Sequence, residues 1–158
     1  MVIALLGACA GTPATTDIEK TVDACAPLAL VSAAPTDVQN AGMDGAQQLW
    51  LDRGAPALGL RAGATMEVRF EDAGQPFHGL YDDQEGVIYI NRAIMDDAVL
   101  SIVIAHELGH AFGLAHVSGR ASLMNPGNTS VGPTAEDRAA VTALWGSCAA
   151  PLPSSRLP

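Results

Sequence analysis

The chain has 158 residues and a formal net charge of −9, with 49% hydrophobic and 16% charged residues. This length allows one domain with a hydrophobic core, and the composition excludes an intrinsically disordered chain. The eight basic residues are scattered along the sequence, which argues against a nucleic-acid partner. No apolar run reaches the roughly eighteen residues that a transmembrane helix requires.

Residues 1–10 resemble an export signal. Their apolar run ends in Leu6-Gly7-Ala8-Cys9, which resembles the lipobox of bacterial lipoproteins, whose cysteine carries the lipid. Two alternatives stay open: cleavage at the small residues around Cys9, which would release the protein, or a plain apolar tail. The resemblance implies an exported protein, either an envelope lipoprotein tethered to the membrane through lipidated Cys9 or a secreted protein. The predicted remainder is a polar tether over 11–24, a main domain over 25–149 and a flexible tail over 150–158.

Two cysteines, Cys25 and Cys148, stand near the two ends of the main domain. In an oxidising compartment such a pair can form a disulfide, which would tie the ends of the domain together. Two separate buried thiols are the alternative, because a sequence does not give the distance between two Cα atoms.

The main domain begins with a strand and a helix. An apolar run over 27–34, closed by Pro35, predicts the strand. Thr36 or Asp37 then provides the N-cap of a helix that continues to about residue 53. Period-two alternation and turn residues predict the next elements: a strand over 65–70, a strand over 77–81, a turn over 82–86 and a strand over 87–91.

Two helices complete the main domain. The first has Asp96 or Asp97 as its N-cap and runs to residue 112. Nearly every residue from 98 to 105 is apolar, so we expect this helix to lie in the core beneath a sheet. The second begins at residue 134 or 135 and ends at 145, before a glycine. The order of strands and helices indicates an α+β fold.

The segment 106–116 carries the strongest chemical signal. His106 and His110 are four residues apart, so on a helix they share one face and can bind the same metal ion. Gly113 permits a backbone turn that brings His116 back as a third ligand. Three histidines leave one tetrahedral position open for water, which predicts a catalytic Zn²⁺ rather than a closed structural site.

Glu107 follows the first predicted ligand directly. From there its carboxylate can reach a metal-bound water, take its proton and later pass that proton to a leaving amine. The metal would acidify the water and polarise the scissile carbonyl. The residues therefore predict hydrolysis of an amide, with peptide bonds as the target.

The spacing over 106–116 matches the HExxHxxGxxH signature of the metzincin metallopeptidases. Ser122-Leu123-Met124-Asn125-Pro126 resembles the Met-turn of that clan, and the chain looks most like its matrixin branch. The resemblance implies a metzincin-like catalytic domain over 25–149, with a twisted mixed sheet, an active-site helix, a Met-turn and a C-terminal helix. It also implies structural roles at the site for Gly113, Met124 and Pro126.

By the same resemblance, the substrate is a protein or peptide in extended conformation, bound along residues 77–81 by a monomeric enzyme. Residues 125–133 would form a wall of the pocket for the substrate residue after the scissile bond. The chain departs from matrixins at Val117, which occupies the place of a serine, and it lacks their accessory zinc histidines and calcium loop. His78 is expected to be an ordinary strand histidine.

Three alternatives stay open. The acidic side chains of Asp82, Asp83 and Glu85 could hold Ca²⁺, although a solvated hairpin turn is the preferred interpretation. Instead of an endopeptidase, the chain could be a zinc-binding module without turnover, or a zinc amidase that acts on cell-wall peptide. The intact Glu107 argues against the module.

Overall fold

The structure, a computed structural model, describes residues 22, 24–26, 28–53 and 64–146. The predicted export segment, including Cys9, and the predicted tail lie outside the described residues. Cys25 is disulfide-bonded, and its predicted partner Cys148 also lies outside them. The described elements are β1 (Leu28–Val31), α1 (Asp37–Leu51), β2 (Ala64–Glu71), β3 (Gly79–Asp82), β4 (Val87–Asn91), α2 (Asp97–Ala111) and α3 (Ala135–Trp145).

Three side chains with an oxygen acceptor start the three helices. Thr36 accepts a hydrogen bond from the Gln39 N–H and the Gln39 side chain reciprocates, which forms a capping box at the start of α1. Asp96 caps α2 through the N–H of Val99, and Thr134 caps α3. These contacts satisfy amide groups that have no partner within the helix, and they decide between the alternative caps offered by the sequence.

The described strands form one mixed sheet in the order β1-β2-β4-β3. β1 and β4 both run parallel to β2, whereas β3 pairs antiparallel with β4, with Tyr81 opposite Ile88. β3 is therefore an edge strand. The predicted α+β fold with a mixed sheet is confirmed.

Three strands differ in extent from the sequence-based prediction. β2 extends one residue beyond the predicted range of 65–70 at each end. The run predicted over 27–34 forms a strand only over Leu28–Val31, because the chain must turn before Pro35 to reach the cap of α1. The run predicted over 77–81 begins at Gly79 instead. Phe77 and His78 belong to a preceding loop, whose carbonyl groups are held by Asn91 at the end of β4.

The core lies between the sheet, α1 and α2. Seven consecutive residues of α2, from 103 to 109, are buried, which confirms that α2 is a core helix. Trp50 of α1 is 1% exposed; its indole N–H donates to the carbonyl of Ala105 at 2.9 Å. Its ring meets Phe112 edge to face at a centroid distance of 5.5 Å. No helix in the described ranges is long and apolar enough to cross a membrane.

The contact between α1 and α2 depends on a glycine. A Cβ atom at Gly42 would stand 2.6 Å from the Cβ of Leu100, which is closer than two non-bonded carbon atoms pack. Leu100 is fully buried, so its Cβ cannot move without α2. The close approach of the two helices therefore requires glycine at this position.

We expect Gly42→Ala to destabilise the fold. The added methyl group overpacks the helix contact by about 1–3 kcal/mol, which exceeds the gain of about 1 kcal/mol in helix propensity. Urea unfolding measures the difference. Asn40→Ala, at an exposed position of the same helix, gains propensity without the clash and should be neutral or stabilising. Equal stability changes in the two variants would contradict the packing argument.

Candidate metal centre

The end of α2 brings the predicted ligands together. His106 and His110 lie on α2, and the helix ends where Gly113 adopts a φ of +92°, in the left-handed region that favours glycine. The Gly113 N–H donates to the His110 carbonyl at 2.8 Å, and the Leu114 N–H to the Gly109 carbonyl at 2.9 Å. These bonds close the helix and reverse the chain, so that His116 returns towards the two helical histidines.

The three imidazole rings converge through their Nε2 atoms. The Nε2 of His116 lies 3.2 Å from that of His106 and 3.2 Å from that of His110. In a tetrahedral site with Zn–N bonds of about 2.0–2.1 Å, two ligand nitrogens stand roughly 3.3 Å apart. Within the described ranges, these are the residues that form a group able to hold a metal ion. Their spacing fits Zn²⁺.

The outer ring nitrogens determine which tautomer is present. The Nδ1 of His106 lies 2.7 Å from the carbonyl of Leu123, and the Nδ1 of His110 lies 2.8 Å from the carbonyl of Leu114. A carbonyl only accepts, so each Nδ1 carries the proton and each Nε2 presents its lone pair to the centre. Burial lowers the pKa of His110 to about 4 and also lowers that of His106. Both rings are therefore neutral at neutral pH, as metal binding requires.

Glu107 lies beside this centre and is nearly buried, with 6% of its surface exposed. The backbone N–H of Tyr81 on β3 donates to its Oε2 at 2.9 Å. Burial raises the pKa of Glu107 to about 7, although the Tyr81 hydrogen bond opposes the rise. The carboxylate is thus held between α2 and the edge strand β3.

Two cavities open next to the centre, and Glu107 and His116 line both. The first cavity, of ≈ 260 Å³, lies between residues 76–79 and residues 127–128. The second cavity, of ≈ 310 Å³, follows the edge strand at Leu80 and Tyr81. The three histidines and Glu107 therefore stand at the junction of two spaces that can receive a substrate.

The predicted Met-turn packs beneath α2. Met124 is 1% exposed, and its sulfur occupies the space that a side chain at Gly109 would need. Pro126 is exposed and follows Asn125, whose amide donates to the carbonyls of Val117 and Arg120. Val117 contributes through its backbone, since its N–H donates to the Met124 carbonyl at 2.9 Å. Asn125 thus ties the loop after His116 to the turn.

A buried aspartate, which the sequence analysis did not single out, supports the turn. Asp137 of α3 is 1% exposed. Its carboxylate accepts from the Ser122 hydroxyl, the Leu123 N–H and the Thr134 N–H. Leu123 is the residue whose carbonyl orients His106. A helix start at residue 134 or 135 was visible in the sequence, but the contacts of Asp137 to Ser122 and Leu123 cross the fold and leave no local pattern.

The electrostatics of Asp137 follow from these contacts. Burial raises its pKa, but the hydrogen bonds from Ser122, Thr134 and Leu123 together outweigh burial, so the pKa lies below its usual value. Arg120 adds an ion pair at 3.3 Å. The folded state therefore favours the ionised carboxylate.

Other candidate residues lie apart from the centre. His78 lines the first cavity but does not belong to the metal-binding group. Asp82 accepts hydrogen bonds from the N–H groups of Gln84 and Glu85, as a turn residue does. Among the described residues, Asp82, Asp83 and Glu85 do not form a group that could hold a metal ion. The structure therefore does not support a Ca²⁺ site at this turn.

We expect Asp137→Asn to lower the free energy of unfolding by about 1–3 kcal/mol at pH 7, because an amide nitrogen cannot accept the bonds that the carboxylate accepts. The folded pKa lies below the unfolded value of about 3.9, so this stabilisation is complete above that value and is lost as the pH falls through the folded pKa. Urea unfolding at pH 7, 5 and 3.5 should show a gap to wild type that narrows only at the lowest pH.

The matched control is Glu136→Gln, which removes a charge from the same helix turn at an exposed position. It should change stability by less than about 0.5 kcal/mol. A gap that is absent at pH 7, or that stays constant with pH, would show that the charge of Asp137 does not support the turn.

Comparison with known proteins agrees with this geometry. The family model of the matrixins matches residues 40–146, more than half of the chain. No curated protein matches the sequence. The matched region contains the three converging histidines, the carboxylate beside them and the Met-turn. The chain therefore belongs to the matrixin family of zinc metallopeptidases.

Proposed function

We propose that this chain is a zinc-dependent endopeptidase, with His106, His110 and His116 as the zinc ligands and Glu107 as the general base. The observation that carries the proposal is the convergence of three Nε2 lone pairs beside a buried carboxylate, at the junction of two cavities. A zinc-binding module without turnover would need neither the carboxylate nor the cavities.

The residues around the metal have distinct tasks. When bound, Zn²⁺ supplies Lewis-acid chemistry that acidifies water and polarises a carbonyl group. Glu107 is held at Oε2 by the Tyr81 N–H, so its carboxylate stays at the junction of the cavities. There it accepts a proton from water and returns it to the amine that leaves. The carbonyls of Leu123 and Leu114 keep two imidazoles in the tautomer that binds metal.

The substrate is proposed to be an extended protein or peptide. β3 pairs with β4 on one side only, so its outer edge can accept a further strand through backbone hydrogen bonds. Leu80 on this strand is 51% exposed, beside the second cavity. An extended chain along this edge passes Glu107 and can place side chains in the cavities. These features favour a peptide over a small amide as the substrate. We also propose that the enzyme is a monomer.

The chain is proposed to act outside the cytoplasm, as an envelope lipoprotein or a secreted enzyme. The Leu6-Gly7-Ala8-Cys9 segment supports export, and the disulfide at Cys25 supports an oxidising compartment.

We expect Glu107→Gln to abolish cleavage while zinc binding persists. Loss of the general base should lower kcat by about 10²–10⁴, because glutamine cannot accept the proton. The measurement is cleavage of a diverse peptide library by the zinc-loaded protein, with zinc content determined by mass spectrometry. Glu71→Gln, at an exposed position of β2, should match the wild type.

Three outcomes would contradict parts of the proposal. Full cleavage by Glu107→Gln would exclude Glu107 as the base, and cleavage that survives a chelator would exclude the metal. Zinc binding without cleavage of any library peptide would contradict the endopeptidase and would be consistent with a zinc-binding module or a zinc amidase. Release of cell-wall peptide by the same sample would then identify the amidase.

We expect the mature chain to begin at Cys9 with a lipid attached. A lipobox cysteine becomes the new N-terminus when the signal is removed, and its acyl chains raise the mass of the first peptide. Mass spectrometry of the protein expressed in a bacterial host measures this mass. Cys9→Ala should shift the protein from the membrane fraction to the soluble fraction, whereas an unmodified N-terminal peptide containing residues 1–8 would contradict export.

A further inference from the structure

The first cavity lies between two short segments that are each fastened by an asparagine. Residues 76–79 form one wall, residues 127–128 form the opposite wall, and Val103 and Glu107 of α2 complete the lining. Neither wall segment belongs to a helix, and three of the four residues in the first wall precede β3. The width of the cavity therefore depends on what holds these two segments.

Asn91, the last residue of β4, holds the first wall. Its side chain is fully buried, and its Nδ2 donates to the carbonyls of Ala73 at 3.1 Å and Phe77 at 2.9 Å. Its Oδ1 accepts from the Ala93 N–H at 3.0 Å. Its backbone N–H donates to the carbonyl of His78 at 2.9 Å. Both ends of the loop over 73–78 are thus attached to one residue of the sheet.

This pattern requires a carboxamide. The two carbonyls need two donors, and the Ala93 N–H needs an acceptor, which together are the groups that an asparagine amide offers. Aspartate has the same shape but presents an oxygen where the two carbonyls require a donor. Serine keeps a hydroxyl but is too short to reach both ends of the loop. The carboxamide of Asn91 therefore meets all three of these demands at once.

Asn128 holds the opposite wall and provides a comparison. Its amide donates to the carbonyls of Leu123 at 3.0 Å and Val131 at 2.7 Å. The Leu123 carbonyl also accepts from the Nδ1 of His106, so Asn128 is linked to a metal ligand through this carbonyl. The contacts of Asn91 reach no metal ligand. The two walls are thus coupled to the centre in different ways.

We propose that Asn91 is a positioning residue that sets the width of the first cavity and so selects the size of the substrate side chain beside the scissile bond. Asn91 does not line the cavity; it acts through Phe77 and His78, which do. If the cavity selects side chains of a substrate that is cleaved, the inference rests on the endopeptidase activity proposed above. If the cavity selects side chains of a bound ligand, it does not rest on that activity. The cavity volume of ≈ 260 Å³ leaves room for a substrate side chain.

The experiment compares two probes on the zinc-loaded full chain. Acetohydroxamate carries only a zinc-chelating group, whereas a hydroxamate with an adjacent isobutyl side chain must also fill a cavity. Calorimetry gives both affinities for wild type, Asn91→Asp and Asn91→Ser, well below the unfolding temperature of each protein. Asn40→Asp, at an exposed position of α1, controls for the added charge.

In both Asn91 variants we expect about tenfold weaker binding of the isobutyl probe, since two hydrogen bonds to the loop are lost. Binding of acetohydroxamate and the zinc content should stay within twofold of wild type. A purely structural role would weaken both probes alike or lower stability alone. Asn128→Ala, by contrast, should weaken both probes, because it releases the carbonyl that orients His106.

Three results would overturn the proposal: equal weakening of both probes in the Asn91 variants, no change in either affinity, or loss of folding in both variants. A wild-type protein that binds the isobutyl probe no more tightly than acetohydroxamate would also overturn it. The wild type could prefer the isobutyl probe, and the Asn91 variants could lose that preference, while no peptide is cleaved. In that case the proposed endopeptidase activity is wrong and the proposed role of Asn91 is confirmed.

Discussion

The backbone of Leu123 connects the three parts of the molecule on which the site depends. Its carbonyl accepts hydrogen bonds from the Nδ1 of His106 and from the amide of Asn128, and its N–H donates to the buried carboxylate of Asp137. The metal ligand, the wall of the first cavity and the start of α3 therefore all contact the backbone of one residue. Because a shift of this residue would disturb all three contacts at once, the imidazole of His106 is held in one orientation before any ion binds.

The burial of two polar side chains at the site costs free energy of folding. His106 and Glu107 are each 6% exposed within a helix whose other buried residues are apolar. Burying a carboxylate disfavours its charged form, which is why the pKa of Glu107 rises to about 7. One backbone hydrogen bond from Tyr81 offsets only part of that cost. The apolar packing of Leu108 and Phe112 with the rest of the core, including Trp50 of α1, must compensate for the rest.

The sequence predicted the parts of the site whose signals are local. His106, His110, Gly113 and His116 lie within one short segment, and helical periodicity alone places two of them on one face. Three N-caps could also be found, because a capping side chain bonds to residues two or three positions away. The helix boundaries followed from these caps with an error of one or two residues.

The supporting residues could not be predicted in the same way. Asp137 contacts Ser122 and Leu123 across separations of 15 and 14 residues, and Asn91 contacts Ala73 and Phe77 across separations of 18 and 14. In the sequence, each is a single polar residue beside a helix start or a strand end. The predicted strand over 77–81 began two residues too early because of another long-range contact. Asn91 donates hydrogen bonds to the carbonyls of Phe77 and His78, and these two residues lie in a loop.

The loops around the centre are held by side-chain hydrogen bonds from buried or half-buried residues. Asn91, Asn125 and Asn128 each bind two backbone carbonyls, and Asp137 binds two backbone N–H groups. The ion pairs of Arg69 on the outer sheet face are solvent-exposed, and such pairs contribute little. A buried amide whose partners are all satisfied is costly to disrupt, because each carbonyl it leaves would stay unpaired. The geometry of both cavity walls therefore rests on these few amides, and a single Asn side chain can control the shape of the site without touching the substrate.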